Sequence, residues 1–160
     1  KVKYADSVKI GAVRLSNIFF PEYKITKSAK IRCEEYVENQ IRQQIDIKKF
    51  KNIDLVVGSS GTVDTICMIK NYQSDNASRK NLNGCEFTRS EFEDIYNLIM
   101  NLRTPEERML VPGLESKRAD IIPAGLIILN KVFQLFDLDK MILSEYALRE
   151  GIVFKALNIT

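Results

Sequence analysis

Ile53-Asp54-Leu55-Val56-Val57-Gly58-Ser59-Ser60-Gly61-Thr62 decides the reading of this chain. An apolar run of strand length, Ile53 to Val57, hands over to a corner of glycines and hydroxyls. Val63, Ile66 and Ile69 then follow at helical spacing. Two readings of the corner stand together. Gly58 and Gly61 let the backbone approach a ligand closely, while amides at the helix start and the hydroxyls of Ser59, Ser60 and Thr62 offer donors to a phosphate. Any strand-to-helix turn also needs tolerant dihedrals and a Ser or Thr N-cap, so the same residues suit an ordinary corner.

Working outward, Val2 to Ile10 alternates as a strand would, and Gly11 releases it into a short helical stretch, Ala12-Val13-Arg14-Leu15, that Pro21 ends. From about Lys27 to Ile47, Cys33, Val37, Ile41 and Ile45 recur at a spacing of four, which predicts an amphipathic helix. The run Ile53 to Val57 reads as an interior strand. A helix follows to about Tyr72, and the polar stretch Gln73 to Gly84 reads as a mobile surface loop ending in the turn signal Asn83-Gly84.

Thr88 with Glu91 forms a capping-box pattern ahead of Phe92, Ile95, Tyr96, Ile99 and Leu102. Thr104-Pro105-Glu106-Glu107 repeats it, with proline at the first helical position. Val111-Pro112-Gly113-Leu114 breaks that helix. Asp120 reads as a helix cap, and Ile122, Leu126, Leu129, Val132, Phe133 and Phe136 then mark the longest apolar helix. Met141 to Ser144 reads as a third strand and Ala147 to Leu157 as a last helix. The sum is a helix-rich α/β fold in one domain. The corner at Gly58 to Thr62 and the segment Ser144 to Glu150 both sit at strand carboxyl ends, where open α/β sheets bind ligands.

Composition narrows the chemistry. The 160 residues carry 24 Lys and Arg against 21 Asp and Glu, a net charge of +3, and the cations are dispersed among acids. That distribution does not indicate nucleic-acid binding, and the cluster Lys48-Lys49-Phe50-Lys51 suits a solvated helix end. No histidine is present, so acid–base chemistry falls to carboxylates and histidine-containing metal sites are excluded. Cys33, Cys67 and Cys85 are widely spaced with no CxxC pattern, as expected of thiols in a reducing cytosol. No signal peptide or membrane-length apolar run is visible. The chain begins mid-pattern at Lys1, which suggests a piece of a longer protein.

The order of the motifs resembles the exopolyphosphatase and guanosine pentaphosphate phosphatase (Ppx/GppA) family. The residues carrying the resemblance are Gly58-Ser59-Ser60-Gly61-Thr62, Pro112-Gly113-Leu114 with Arg118-Ala119-Asp120, and Ser144-Glu145-Tyr146-Ala147-Leu148-Arg149-Glu150-Gly151. The opening Ser7-Val8-Lys9-Ile10-Gly11-Ala12-Val13-Arg14-Leu15 is similar to the family's segment after its second phosphate loop. Glu145 stands where the family more often has aspartate, and Ala147 where it often has glycine.

The resemblance implies an actin-like, ribonuclease-H-type fold, with residues 1–160 as most of the second of two lobes. It implies hydrolysis of terminal phosphoanhydride bonds of polyphosphate or guanosine pentaphosphate, in the cytoplasm. The family's catalytic glutamate and DxGGGS loop have no counterpart here, so no catalytic residue is carried over, and a divalent metal, magnesium, would be bound mainly by groups outside the chain. The partners implied are the phosphorylated substrate and the missing first lobe; a homodimer stays open, and no nucleic acid or membrane partner is expected. The substrate-binding set is Gly58, Ser59, Ser60, Gly61, Thr62, Arg118 and Arg149. Arginine's fork suits phosphate oxygens, but Arg118 could equally be a surface charge at the start of the long helix, and Arg149 could pair with Glu150. The fragment alone is expected to be inert. A module that binds a phosphorylated ligand without cleaving it is the alternative, and an actin-like kinase lobe has no sugar-contacting residues to support it.

Overall fold

The computed structural model describes residues 2–50, 53–74 and 81–157, with the side chains of Leu148, Arg149 and Lys155 outside that description. Helices α1 (Ala12–Phe19) and α2 (Lys27–Gln44) precede a short strand β1 (Val57–Gly58) and helix α3 (Gly61–Gln73). Then come β2 (Glu86–Thr88), α4 (Arg89–Asn101), α5 (Pro105–Met109), α6 (Ile122–Phe136), β3 (Lys140–Leu143) and α7 (Leu148–Ala156).

Local chemistry places most of the helix starts. Thr26 caps α2 by accepting from the Ala29 amide at 3.2 Å. Thr88 and Thr104 each close a reciprocal capping box, with Glu91 and Glu107 respectively. Pro123 occupies the first turn of α6, where its missing N–H costs nothing. Asp120 does not cap that helix: the N-cap is Ile121, with no side-chain cap bond. The helix end is set by Asp137 in a left-handed conformation, φ 50°.

The sheet has the order β1-β3-β2, with β1 parallel and β2 antiparallel to β3. Its register puts Gly58, Phe87, Met141 and Leu143 on one face and Val57, Glu86 and Ile142 on the other. The first face is the core: Phe87, Met141 and Leu143 are at most 4% exposed. There α3, α4 and α6 cover it, and Phe133 of α6 stacks on Phe92 at 5.0 Å and lies 6.1 Å from Phe87. On the far side of α6, α1 and α2 complete the helical layer through Leu15, Cys33, Val37 and Ile41, all buried.

Three strand expectations change. Residues 2–10 join no ladder; they run over the surface, with Tyr4 edge-on to Phe50 at 5.2 Å and Asp6 accepting from Gln44. Alternation alone makes no strand without a neighbouring edge. Ile53 to Val57 is not interior: only Val57 and Gly58 pair, at a sheet edge, leaving Leu55 59% and Val57 53% exposed. Ile142 and Ser144 donate to the carbonyls of Val56 and Gly58, so the peptide groups of Val57 point to the outer edge, where no strand of the described residues lies. Finally, β2 emerges from the end of the polar stretch, carried by the single buried Phe87. Residues 75–80 of that stretch, and Lys51 of the basic cluster, lie outside the described residues.

Candidate functional site

Gly58 to Thr62 is the corner between β1 and α3, as its pattern predicts. Ser60 is the N-cap and accepts from the Val63 amide at 3.4 Å, while the Thr65 hydroxyl donates to the Gly61 carbonyl at 2.7 Å. Neither glycine has a left-handed φ. They are glycines for space. A Cβ on Gly58 would lie 2.7 Å from both the Met141 sulfur and a Val63 methyl, and one on Gly61 would collide with the Arg118 guanidinium. Gly125 of α6 follows the same logic, since its Cβ would strike the Thr62 hydroxyl.

Arg118 thus reaches the corner from a one-turn 3-10 helix, Ser116–Arg118, that precedes α6. Its Nε is buried and has no hydrogen-bond partner among the described residues; Glu115 Oε2 stands 3.9 Å away, an ion pair but too far for a hydrogen bond. The guanidinium lies across the first residue of a 13-residue helix, at the end where amides and dipole favour an anion.

Arg108 fixes the approach of that turn. It is fully buried, and its guanidinium donates to the carbonyls of Tyr23 (2.6 Å), Ala119 (2.7 Å) and Leu102 (3.0 Å), tying three corners together next to Arg118. Gly113 sets the same loop against α3. Its φ is +88°, and a Cβ there would come within 2.7 Å of the Met68 carbonyl oxygen.

The second strand end meets the first directly, for Ser144 N–H donates to the Gly58 carbonyl at 2.9 Å. Beyond it the chain turns on its own bonds: the Ser144 hydroxyl donates to the Tyr146 carbonyl, and the Ala147 amide donates to Glu150 Oε2 at 2.8 Å. Glu145 turns to the Leu82–Asn83 segment: its carboxylate accepts from the Leu82 amide, and its own N–H donates to Asn83 Oδ1. Arg149 begins the second residue of α7, and its side chain lies outside the described residues.

A groove of about 690 Å³ runs from Ser60, Gly61, Thr62 and Arg118 to Gly11 and Arg14 at the start of α1. The opening segment and the corner therefore share one surface. Three groups near the corner escaped the sequence reading. Arg14 lines the groove as a second cation, Glu115 pairs with Arg118, and Asp64 lies in the first turn of α3. Burial holds the Asp64 carboxyl above its ordinary range, against the lowering field of Arg118. An acid two residues after the Gly58 to Thr62 corner was the available signal for Asp64. Ser59 is exposed at the corner's outer side and makes no side-chain hydrogen bond among the described residues. No group of three or more His, Cys, Asp or Glu side chains among the described residues could hold a metal, so the donor set here does not fit one.

Known proteins share this architecture. Residues 1–159 match the Ppx/GppA phosphatase family. A Bifunctional 3-dehydroquinate synthase/phosphatase of Fusobacterium nucleatum is 30% identical over 87% of the chain, which covers 20% of that protein. A Guanosine-5'-triphosphate,3'-diphosphate pyrophosphatase of Vibrio parahaemolyticus is 27% identical over 99% of the chain and 30% of its own length. Among solved structures, a Ppx/GppA phosphatase of Aquifex aeolicus superposes with a TM-score of 0.80 at 28% identity, over 97% of this chain and 50% of that one. The chain thus spans under a third of those two curated relatives and half of that structural neighbour. An exopolyphosphatase of Cytophaga hutchinsonii, 20% identical with a TM-score of 0.81, carries the same fold. The helix-rich α/β layout is accordingly an actin-like one.

Proposed function

Because the chain belongs to the Ppx/GppA phosphatase family, we propose that it is the ligand-binding part of a phosphoanhydride hydrolase acting on inorganic polyphosphate, guanosine pentaphosphate or both. Residues 1–160 correspond in this reading to most of the second lobe of a two-lobed module. The other lobe supplies the water-activating carboxylate, the principal phosphate loops and the divalent metal, and the whole works in the cytoplasm. The names of the relatives support the substrate class. The free outer edge of β1 and its exposed Leu55 and Val57 support a larger module, since an apolar sheet edge is ordinarily covered.

One observation carries the site: the Arg118 guanidinium, whose buried Nε has no hydrogen-bond partner among the described residues, lies over Gly61 at the N-terminus of α3. Fixed cations and helix amides aimed at phosphoryl oxygens are what phosphoryl transfer asks of a protein, since the chemistry is mainly positioning and charge stabilisation. Gly58 to Thr62 and Arg118 would hold a phosphate of the substrate, and Arg149 would add a second fork from the other strand end.

The test is phosphate release by the full-length protein from polyphosphate and from guanosine pentaphosphate with magnesium present. Release that falls in Arg118→Ala supports the reading. No release from either substrate, with retained binding, would instead favour the non-cleaving phosphate-binding module.

A further inference from the structure

Two of the three cysteines meet across the junction between α3 and the start of β2. Cys67 is fully buried on α3, and its Sγ donates to the Cys85 carbonyl at 3.8 Å, although the residues are 18 positions apart. Burial first, and then the hydrogen bond and field of the Cys85 side chain, raise the Cys67 thiol above its ordinary range. Cys85 is half-buried at the head of β2, next to Gly84, whose φ is +78°. Its Sγ points to the Glu86 carbonyl at 4.0 Å, the same oxygen that receives the Lys70 ammonium at 2.7 Å.

We propose that Cys67 and Cys85 are a redox-active dithiol, which hydrogen peroxide converts into an intrachain disulfide pinning α3 to the head of β2. In the first step the Cys85 thiolate attacks one peroxide oxygen: an S–O bond forms, the O–O bond breaks, and the departing oxygen leaves as water after taking a proton. In the second, the Cys67 sulfur attacks the Cys85 sulfenic sulfur. The S–S bond forms, the S–O bond breaks, and the hydroxide leaves with the Cys67 proton as a second water. Two thiols lose two electrons and one peroxide gains them. The cross-link would fix the helix whose first residues, Gly61 and Thr62, form the candidate phosphate corner, yet it does not depend on that corner binding phosphate.

Cys33 supplies an internal standard. It is fully buried on α2, burial pushes its thiol up to about 12, and neither other cysteine is its hydrogen-bond partner. The experiment treats the reduced full-length protein with hydrogen peroxide, alkylates the remaining thiols and maps peptides without reduction. The expected result is one cross-linked species joining the Cys67 and Cys85 peptides, two hydrogens lighter than their sum and reversed by dithiothreitol, with Cys33 still alkylated. Cys33→Ala should leave the cross-link intact and Cys67→Ala should abolish it. Sulfinic acid on Cys85 with Cys67 still alkylatable would overturn the proposal. So would a disulfide joining Cys85 of two molecules, or two unreacted thiols at peroxide levels that oxidise a free cysteine peptide.

Discussion

The Arg118 guanidinium occupies the space where a side chain on Gly61 would begin, so the glycine and the arginine specify each other. The colliding atoms are the far end of a flexible side chain, and the backbone at Gly61 is ordinary helix. Gly61→Ala should therefore fold well: losing a helical glycine is worth roughly 0.5–1 kcal/mol, which offsets the displacement of Arg118. Function should respond differently. With the guanidinium pushed off the helix start, affinity of the full-length protein for a polyphosphate oligomer should fall about tenfold, the loss of roughly one charge-assisted contact. Titration calorimetry beside a melting curve separates the two effects, and unchanged affinity would remove Arg118 from the site.

Arg108 is a buried cation whose hydrogen bonds among the described residues all go to carbonyl oxygens, those of Tyr23, Leu102 and Ala119. Arg108→Met keeps much of the volume but strands three buried acceptors, so unfolding in urea should show a loss of about 3–5 kcal/mol. Arg108→Lys cannot reach all three corners at once and should recover only part of that loss. Full recovery would mean that charge, rather than the fork, matters here.

Gly113 marks where the loop before Arg118 touches α3 backbone. A side chain there meets both an unfavourable φ of +88° and the Met68 carbonyl, neither of which can yield cheaply. Gly113→Ala should cost about 2–4 kcal/mol, strain plus overpacking. Gly84→Ala provides the contrast: its φ is +78° but nothing lies within 4 Å of the added carbon. It should cost only about 1–2 kcal/mol in the same denaturation experiment.

Legibility in the sequence followed the range of the interactions. The capping boxes at Thr88 and Thr104 could be read because each closes within four residues. The stripe Cys33, Val37, Ile41 could be read because a helix repeats its own geometry. β1 was misjudged because burial of Leu55 and Val57 depends on what else covers the sheet, and an apolar run does not state its neighbour. β2 offered only Phe87 between polar residues. Arg108 follows the acidic Glu106-Glu107 with no local sign of burial, and the carbonyls of Leu102, Ala119 and Tyr23 make it core. The corner at Gly58 to Thr62 was legible as a turn. Its meeting with Arg118 is a contact between elements far apart in the chain, which local pattern does not encode.

Glu91 links the capping box of α4 to α3 through Lys70, whose ammonium lies 2.8 Å from its Oε1. Burial alone would raise its pKa, but the Lys70 bond, the Thr88 amide and the Lys70 field together hold it below its ordinary 4.5. A carboxyl depressed in the folded state binds fewer protons there than in the unfolded chain, so its stabilising effect is present above pH 4.5 and is lost as pH falls through the folded value. Glu91→Gln should cost about 1 kcal/mol at neutral pH, a figure kept small because the pair is partly solvated. Melting curves of the two proteins should converge on acidification below pH 4; a constant gap would assign the effect to capping geometry instead of charge.

Asp64 has the opposite sign. Burial raises its carboxyl above the ordinary 3.8, with Arg118 pulling it down and Glu115 and Glu145 adding to the rise. The folded state then holds the proton more tightly than the unfolded one. Its contribution favours folding at low pH and is lost as pH rises from 3.8 through the folded value. Asp64→Asn should accordingly gain stability relative to the parent across that window and keep the gain at pH 7. The same change removes a negative charge from the first turn of α3, beside the guanidinium offered to phosphate. Binding of a polyphosphate oligomer at pH 7.5 should strengthen on the order of threefold, a modest Coulombic gain in a partly solvated groove. The two readouts discriminate. Stability without tighter binding would make Asp64 a strained structural acid remote from the ligand. Tighter binding accompanied by lost phosphate release would instead make its carboxylate a participant in the hydrolysis.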